Sequence, residues 1–326
     1  MSISRLALLV RNDSHSPMLL NFKYFLKASA LAPAVLLPSC TDRNGTVGHL
    51  LQRSPAVQES SSDESEKLRA YYAGIENRLV AKGFMRTDDG SSEPPLDAED
   101  LARNFERHAF YDEHEFKNGR FVPSLVKSVL RRWNRPVRSK IVFGPSVTQA
   151  QRKTDRDSIK EFAARLSGLT GVRINFSDRD PNFLILVLNS AERGRFANQL
   201  RVLMPDIPSN VARSFLYSDR QRLCSVLTLY NRQKGDIQNT VVLIKAEHSN
   251  LLRLGCIHEE MAQGLGLVND SNNARPSIFN DDEEFALLTV HDELMLKILY
   301  DPRLKSGMTA DEARPIVEAI AKELAS

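Results

Sequence analysis

Glu259, Glu260, Gln263, Asn269 and Asp270 lie within twelve residues, in the run EEMAQGLGLVND. On a helix, positions i and i+4 share a face, so Glu259 and Gln263 can point at one site while Glu260 sits about 100° round. That spacing is the one by which two ligands hold a metal and an intervening carboxylate acts as general base on its water. Gly266 permits a sharp turn that brings Asn269 and Asp270 back over the same place. Glu, Gln, Asn and Asp offer oxygen donors and no imidazole. Such a set holds zinc weakly and suits calcium, magnesium or manganese better. His258 is adjacent, but it falls off the face that Glu259 and Gln263 share.

Elements that could position these residues can be read from periodicity. Lys67–Lys82, a segment from Asp97 carrying Leu101, Phe105 and His108, and Pro123–Trp133 are expected to be helices. From Lys140 the pattern alternates. Strands are expected at Ile141–Phe143, Val172–Phe176, Phe183–Leu188, Cys224–Tyr230 and Thr240–Lys245. Helices are expected at Asp155–Leu166 and Ala191–Leu200, and the site helix is expected to begin at Ser249 as its N-cap. Phe183–Leu188 (FLILVL) is apolar at every position, as in a strand covered on both faces. This predicts an α/β (α+β) fold with a twisted mixed sheet and a helix bearing the site. The expected cleft lies between the Thr240–Lys245 strand and that helix.

The N-terminal region carries a different signal. Lys23 and Lys27 precede the apolar run Ala28–Pro38, which is too short to span a bilayer. It ends in Leu37-Pro38-Ser39-Cys40, then polar Thr41-Asp42-Arg43. The stretch resembles a bacterial lipobox, with Met18 as the better start and Cys40 as the lipidated residue. A plain secretory signal or a buried apolar segment is the alternative. Lipidation would anchor the protein to a periplasmic or outer-membrane surface without a spanning helix. Residues 1–40 thus read as signal peptide, 41–66 as a flexible tether containing QESSSDESE, 67–137 as a helical segment, 138–310 as the main domain and 311–326 as a C-terminal helix. In an oxidising compartment Cys224 and Cys256 could form a disulfide tying sheet to site helix, or stay as two buried thiols.

The formal charge of +3 comes from the leader. Beyond residue 39 basic and acidic residues balance, with no basic cluster, which argues against nucleic-acid binding. Asp281-Asp282-Glu283-Glu284 could chelate calcium but reads as a solvated helix start. Ser277 and His291 lack a nucleophile-elbow context, and Gly264 and Gly266 make no dinucleotide fingerprint. His108 and His114 read as solvated or core-edge histidines.

The run Glu259–Asp270 resembles the metzincin zinc motif, H-E-x-x-H-x-x-G-x-x-H/D, with Glu259 and Gln263 at the histidine positions, Glu260 at the general base and Asn269 or Asp270 at the third ligand. Leu288–Tyr300 resembles the closing helix of matrixin-type metzincins, and Pro276–Phe279 occupies the place of their Met-turn without a Met. The same chain resembles a family of exported bacterial proteins defined as a domain of unknown function. Its patterns are matched by Glu259–Asp270, Ser277–Asp281, Tyr300–Leu304 and Gly307–Thr309, and upstream by Asn104-Phe105, Arg132-Trp133 and Asn182-Phe183. This resemblance implies a metallopeptidase-like fold over about 97–310. Three uses of it follow: a scaffold without catalysis that binds a peptide or protein in the cell envelope, a metal-dependent peptidase with zinc, calcium or manganese and Glu260 as base, or a hydrogen-bonded structural cluster.

Overall fold

The computed structural model describes residues 6–12, 55–94, 97–118, 120–217, 219–280 and 282–325. Cys40 and the apolar run Ala28–Pro38 lie outside them. In chain order the elements are β1 (Leu6–Asn12), α1 (Pro55–Ala81), α2 (Ala98–Ala109), β2 (Tyr111–Lys117), β3 (Arg120–Lys127), β4 (Val137–Phe143), α3 (Gln149–Thr170), β5 (Ile174–Phe176) and β6 (Phe183–Leu188). They continue as α4 (Ser190–Leu203), α5 (Ser209–Leu216), β7 (Ser225–Asn231), β8 (Ile237–Lys245), α6 (Asn250–Gln263), α7 (Val290–Tyr300) and α8 (Ala310–Leu324). The protein is therefore a mixed α/β structure with eight helices among the described residues.

The main sheet runs β1-β7-β8-β6-β4-β5. Strands β8, β6, β4 and β5 are parallel, β7 is antiparallel to β8, and β1 is parallel to β7. Side chains alternate across the sheet, so β6 divides its residues between two cores. Leu184, Leu186 and Leu188 join Val241, Leu243, Leu227 and Leu229 beneath α4 and α5. Ile185 and Val187 join Val242, Ile244 and Val226 on the face covered by α3, α6 and α7. Both faces being covered is why every position of β6 is apolar.

Local signals start most helices. Asp97, Thr148, Asn189, Thr289 and Thr309 each accept a backbone N–H at the first turn of α2, α3, α4, α7 and α8. Ser249 is the N-cap position of α6 but makes no capping bond of its own. Glu76 of α1 caps the helix instead, accepting from Leu252 N at 2.7 Å and from Ser249 Oγ at 2.6 Å.

Several expectations are corrected. Pro123–Trp133 is not a helix, because β2 and β3 form an antiparallel hairpin there. Asn118, which takes φ 52°, starts an Asn-Gly pair between alternating flanks, a hairpin signature that outweighs the apolar spacing of 123–133. The tether shortens, since helix α1 already begins at Pro55. Asp282–Glu284 start no helix. The backbone of Glu283 and Glu284 accepts from Met85 N and Arg86 N at 2.8 Å each, and the Glu284 carboxylate meets Arg86 and Arg275. Leu6–Asn12 has a place in the sheet, although the lipobox reading assigns it no role. No described helix is long and apolar enough to cross a membrane.

The expected cleft between Thr240–Lys245 and the site helix is closed. β8 is an inner strand, flanked by β6 and β7. At the end of α6 a Cβ on Gly264 would lie 2.8 Å from Phe183 and 3.0 Å from Thr240, so glycine lets the helix end settle directly on the sheet. Trp133 Nε1 donates to Gly264 O at 2.9 Å and Tyr300 Oη to Leu265 O at 2.8 Å, sealing the turn from the other side.

Candidate functional site

α6 enters the core with Glu259 1%, Glu260 0% and Gln263 0% exposed. Helical spacing puts three polar side chains in an apolar setting, where a polar group costs free energy until it finds a partner. Gln263 finds Asp270, to whose Oδ1 its Nε2 donates at 2.7 Å. The turn through Gly266, at φ 128°, makes that return possible. Asn269 points elsewhere, its Nδ2 donating to Arg107 O at 3.1 Å on α2. Its backbone carbonyl meets His108 Nδ1. Burial pushes the His108 imidazole down to about 4, against the opposing pull of that carbonyl.

Glu259 and Glu260 converge on the start of β7. One carboxylate oxygen of each and the Cys224 sulfur lie within 4.8 Å of one another. Cys224 is bonded to Cys256, so its sulfur is no thiolate ligand. The disulfide joins the start of β7 to α6 one turn ahead of Glu259. Asp270 is outside this group, which is the one close cluster of His, Cys, Asp and Glu ligand atoms found among the described residues. The residues expected to be ligands thus form two sets: Glu259 and Glu260 against the disulfide, and Gln263 with Asp270. Asn269 belongs to neither.

This donor set does not fit a catalytic metal. Gln263 has given its amide N–H to Asp270, the sulfur is oxidised, and two buried carboxylates fall short of the three ligands plus open position of a zinc site. They fall further short of the six to eight oxygens of calcium. His258 cannot supply an imidazole to the cluster. Its Nδ1 accepts from Leu288 N at 3.2 Å and its ring stacks on Phe162 of α3 at 4.0 Å. Burial, then nearby Arg165, pushes its titration down to about 3.

Sequence reasoning passed over Asp292, which holds the loop below the site. It accepts from Ser277 Oγ, from Ile278 N at 3.0 Å, and from Thr289 N and Oγ1 at 2.9 and 2.8 Å. Burial pushes its carboxyl up to about 6, moderated by those four hydrogen bonds. The Thr289-x-x-Asp292 spacing, a capping-box pattern at the head of α7, was the available signal. Ser277 is thereby committed to Asp292, and His291 Nε2 lies 3.2 Å from Asn104 Nδ2.

No curated protein and no solved structure matches the chain. A family model does match, over residues 98–319, which spans α2 to α8 and includes the site helix, its return turn and the Asp292 loop. With that span covering well over half its length, the chain belongs to the family described as Protein of unknown function (DUF2927).

Proposed function

We propose that the protein is an exported, lipid-anchored binding protein of the cell envelope, built on a metallopeptidase-like scaffold that does not carry out zinc-dependent proteolysis. It would hold a peptide or protein partner, with Cys40 as the anchor. One observation carries the loss of catalysis: the residues at the ligand positions are buried and turned to partners, Gln263 to Asp270 and Asn269 to Arg107. The element order supports the scaffold reading. Strand β4, helix α3, strands β5 and β6, strands β7 and β8 and then the buried site helix α6 follow the order that the metzincin resemblance implies, with α4 and α5 inserted between β6 and β7. Strand β7, antiparallel to β8, has beyond it only β1, which lies ahead of the lipobox, and an edge freed of β1 supports binding by strand addition.

The competing reading is a peptidase with an oxygen-ligated metal and Glu260 as general base. The proximity of the Glu259 and Glu260 carboxylates, one oxygen of each within 4.8 Å of the other, favours it. Elemental analysis of the full chain purified without chelators, beside Glu259→Ala, separates the two. The binding reading expects sub-stoichiometric zinc, calcium and manganese in both proteins and no cleavage of a fluorogenic peptide library. Stoichiometric metal that disappears in Glu259→Ala, together with cleavage abolished in Glu260→Gln, would overturn it.

A further inference from the structure

The outer edge of β7 is occupied by the chain's own N-terminal strand. Leu6–Asn12 pairs with Ser225–Asn231 residue for residue, from Leu6 opposite Ser225 to Asn12 opposite Asn231. Strand β2 of the hairpin also lies close to β1, without joining the main sheet. β1 therefore lies in a slot with two walls, one offering the main-chain donors and acceptors of β7 and the other the hairpin. The slot also has a polarity. Leu6 is opposite Ser225, the neighbour of Cys224, and the Cys224 sulfur lies within 4.8 Å of the Glu259 and Glu260 carboxylates. A strand lying parallel to β7 thus directs its amino end toward the two glutamates, and in the sequence the residue before Leu6 is Arg5.

The strand sits more than forty residues ahead of α1 and, on the lipobox reading, upstream of both Met18 and Cys40, so the exported protein would lack it. β7 would then present an open row of N–H and C=O groups, which natural sheets seldom leave uncovered. We propose that the slot between β7 and β2 is an acceptor for an extended apolar peptide, entering parallel to β7 with a positively charged amino end at Glu259 and Glu260. Leu6–Asn12 is the copy of that ligand carried in this chain. The assignment rests on the binding reading above and gives it a surface and a ligand class. Main-chain pairing supplies affinity without reading side chains, and the carboxylates set direction by charge.

The test uses a peptide of residues 5–12, RLALLVRN, labelled at its carboxyl end, with binding followed by fluorescence anisotropy. It is added to the full chain and to a Leu8→Pro, Val10→Pro chain, in which two prolines disrupt β1 as a ladder strand. Circular dichroism establishes that the second chain keeps its fold. The vacated chain should bind the peptide at about micromolar concentration and at least about tenfold more tightly than the wild type, whose slot is filled. A peptide N-methylated at alternate residues on the pairing side should bind about tenfold more weakly, and so should an acetylated Arg5→Gln peptide. A folded proline chain that binds no better than wild type, or that binds the N-methylated peptide equally well, overturns the acceptor. Equal binding of the acetylated Arg5→Gln peptide overturns the direction assigned at the glutamates. Metal content and proteolysis are separate readouts, so the slot and the loss of catalysis can fail independently.

Discussion

Gln263 and Asp270 form a neutral amide donor on a carboxylate acceptor, buried at the end of α6. An amide holds this position without a charge conflict, whereas two carboxyl groups 2.7 Å apart in a low-dielectric setting must keep a proton between them. Gln263→Glu is nearly isosteric, so its effect reports charge and hydrogen bonding more than packing. The substitution should lower stability by about 2 kcal/mol at pH 8, with the deficit shrinking toward pH 5 as the pair comes to share a proton. Thermal melts at the two pH values check it. A deficit independent of pH would mean that the pair is not the source.

At the scale of elements, the site depends on how α6 ends. Gly266 turns the chain back, and a Cβ there would lie 2.3 Å from Arg131 O and 3.2 Å from the Leu299 side chain. Arg131 is held in turn by its buried pairing with Asp112 of β2, and Gly307 N donates to Leu130 O at 2.9 Å. Turn, hairpin and the segment before α8 therefore meet at one point. Gly266→Ala should cost about 3 kcal/mol or more, through both the clash and the positive φ. Gly168, inside α3, has open space where a methyl would go, with nothing within 4 Å, so Gly168→Ala should instead stabilise by about 0.5–1 kcal/mol. Urea denaturation of both variants checks the pair. Comparable effects would place the constraint outside the turn. The hairpin illustrates a related point about pattern. Phe121, Val122, Leu125 and Val126 can be aligned on a helix as easily as on a strand, and only Asn118-Gly119 distinguishes them.

For the whole molecule, buried titratable groups set the response to acid. His108 titrates near about 4, and His258 and His291 near about 3, all lowered chiefly by burial from 6.5. Between those values and 6.5 the unfolded chain binds protons that the folded chain refuses, so stability falls as pH falls. Asp292 acts in the opposite sense. Its carboxyl is raised to about 6 from 3.8, so the folded chain holds an extra proton in that window. Among these four groups, three protons against one contribute a slope of about two protons, or roughly 2.7 kcal/mol per pH unit around pH 5, with stability rising toward neutral pH. Urea midpoints from pH 7 to pH 4 measure it, and His258→Gln should remove about one proton from the slope. A flat profile over that range would mean that the imidazoles are hydrated in solution.

Much of this protein is determined within short windows of its sequence. The apolar run Phe183–Leu188 forms β6 at the expected residues, Asp97 caps α2, and Ser249 marks the start of α6. These features depend on side-chain periodicity and on backbone groups a few residues away, which any local stretch carries with it. The polar face Glu259, Gln263 and the turn at Gly266 were legible for the same reason. Tertiary structure decided what those residues meet. That Glu76 caps α6 from 173 residues away, that Cys224 lies against Cys256 and the two glutamates, and that Gln263 turns to Asp270 while Asn269 turns to Arg107 are outcomes of packing. Strand order was equally out of reach of the sequence, because it depends on which strands find each other across long connections. Burying Thr240–Lys245 between two neighbours closed the expected cleft, and placing β7 outside it put the pairing edge on the other side of the sheet.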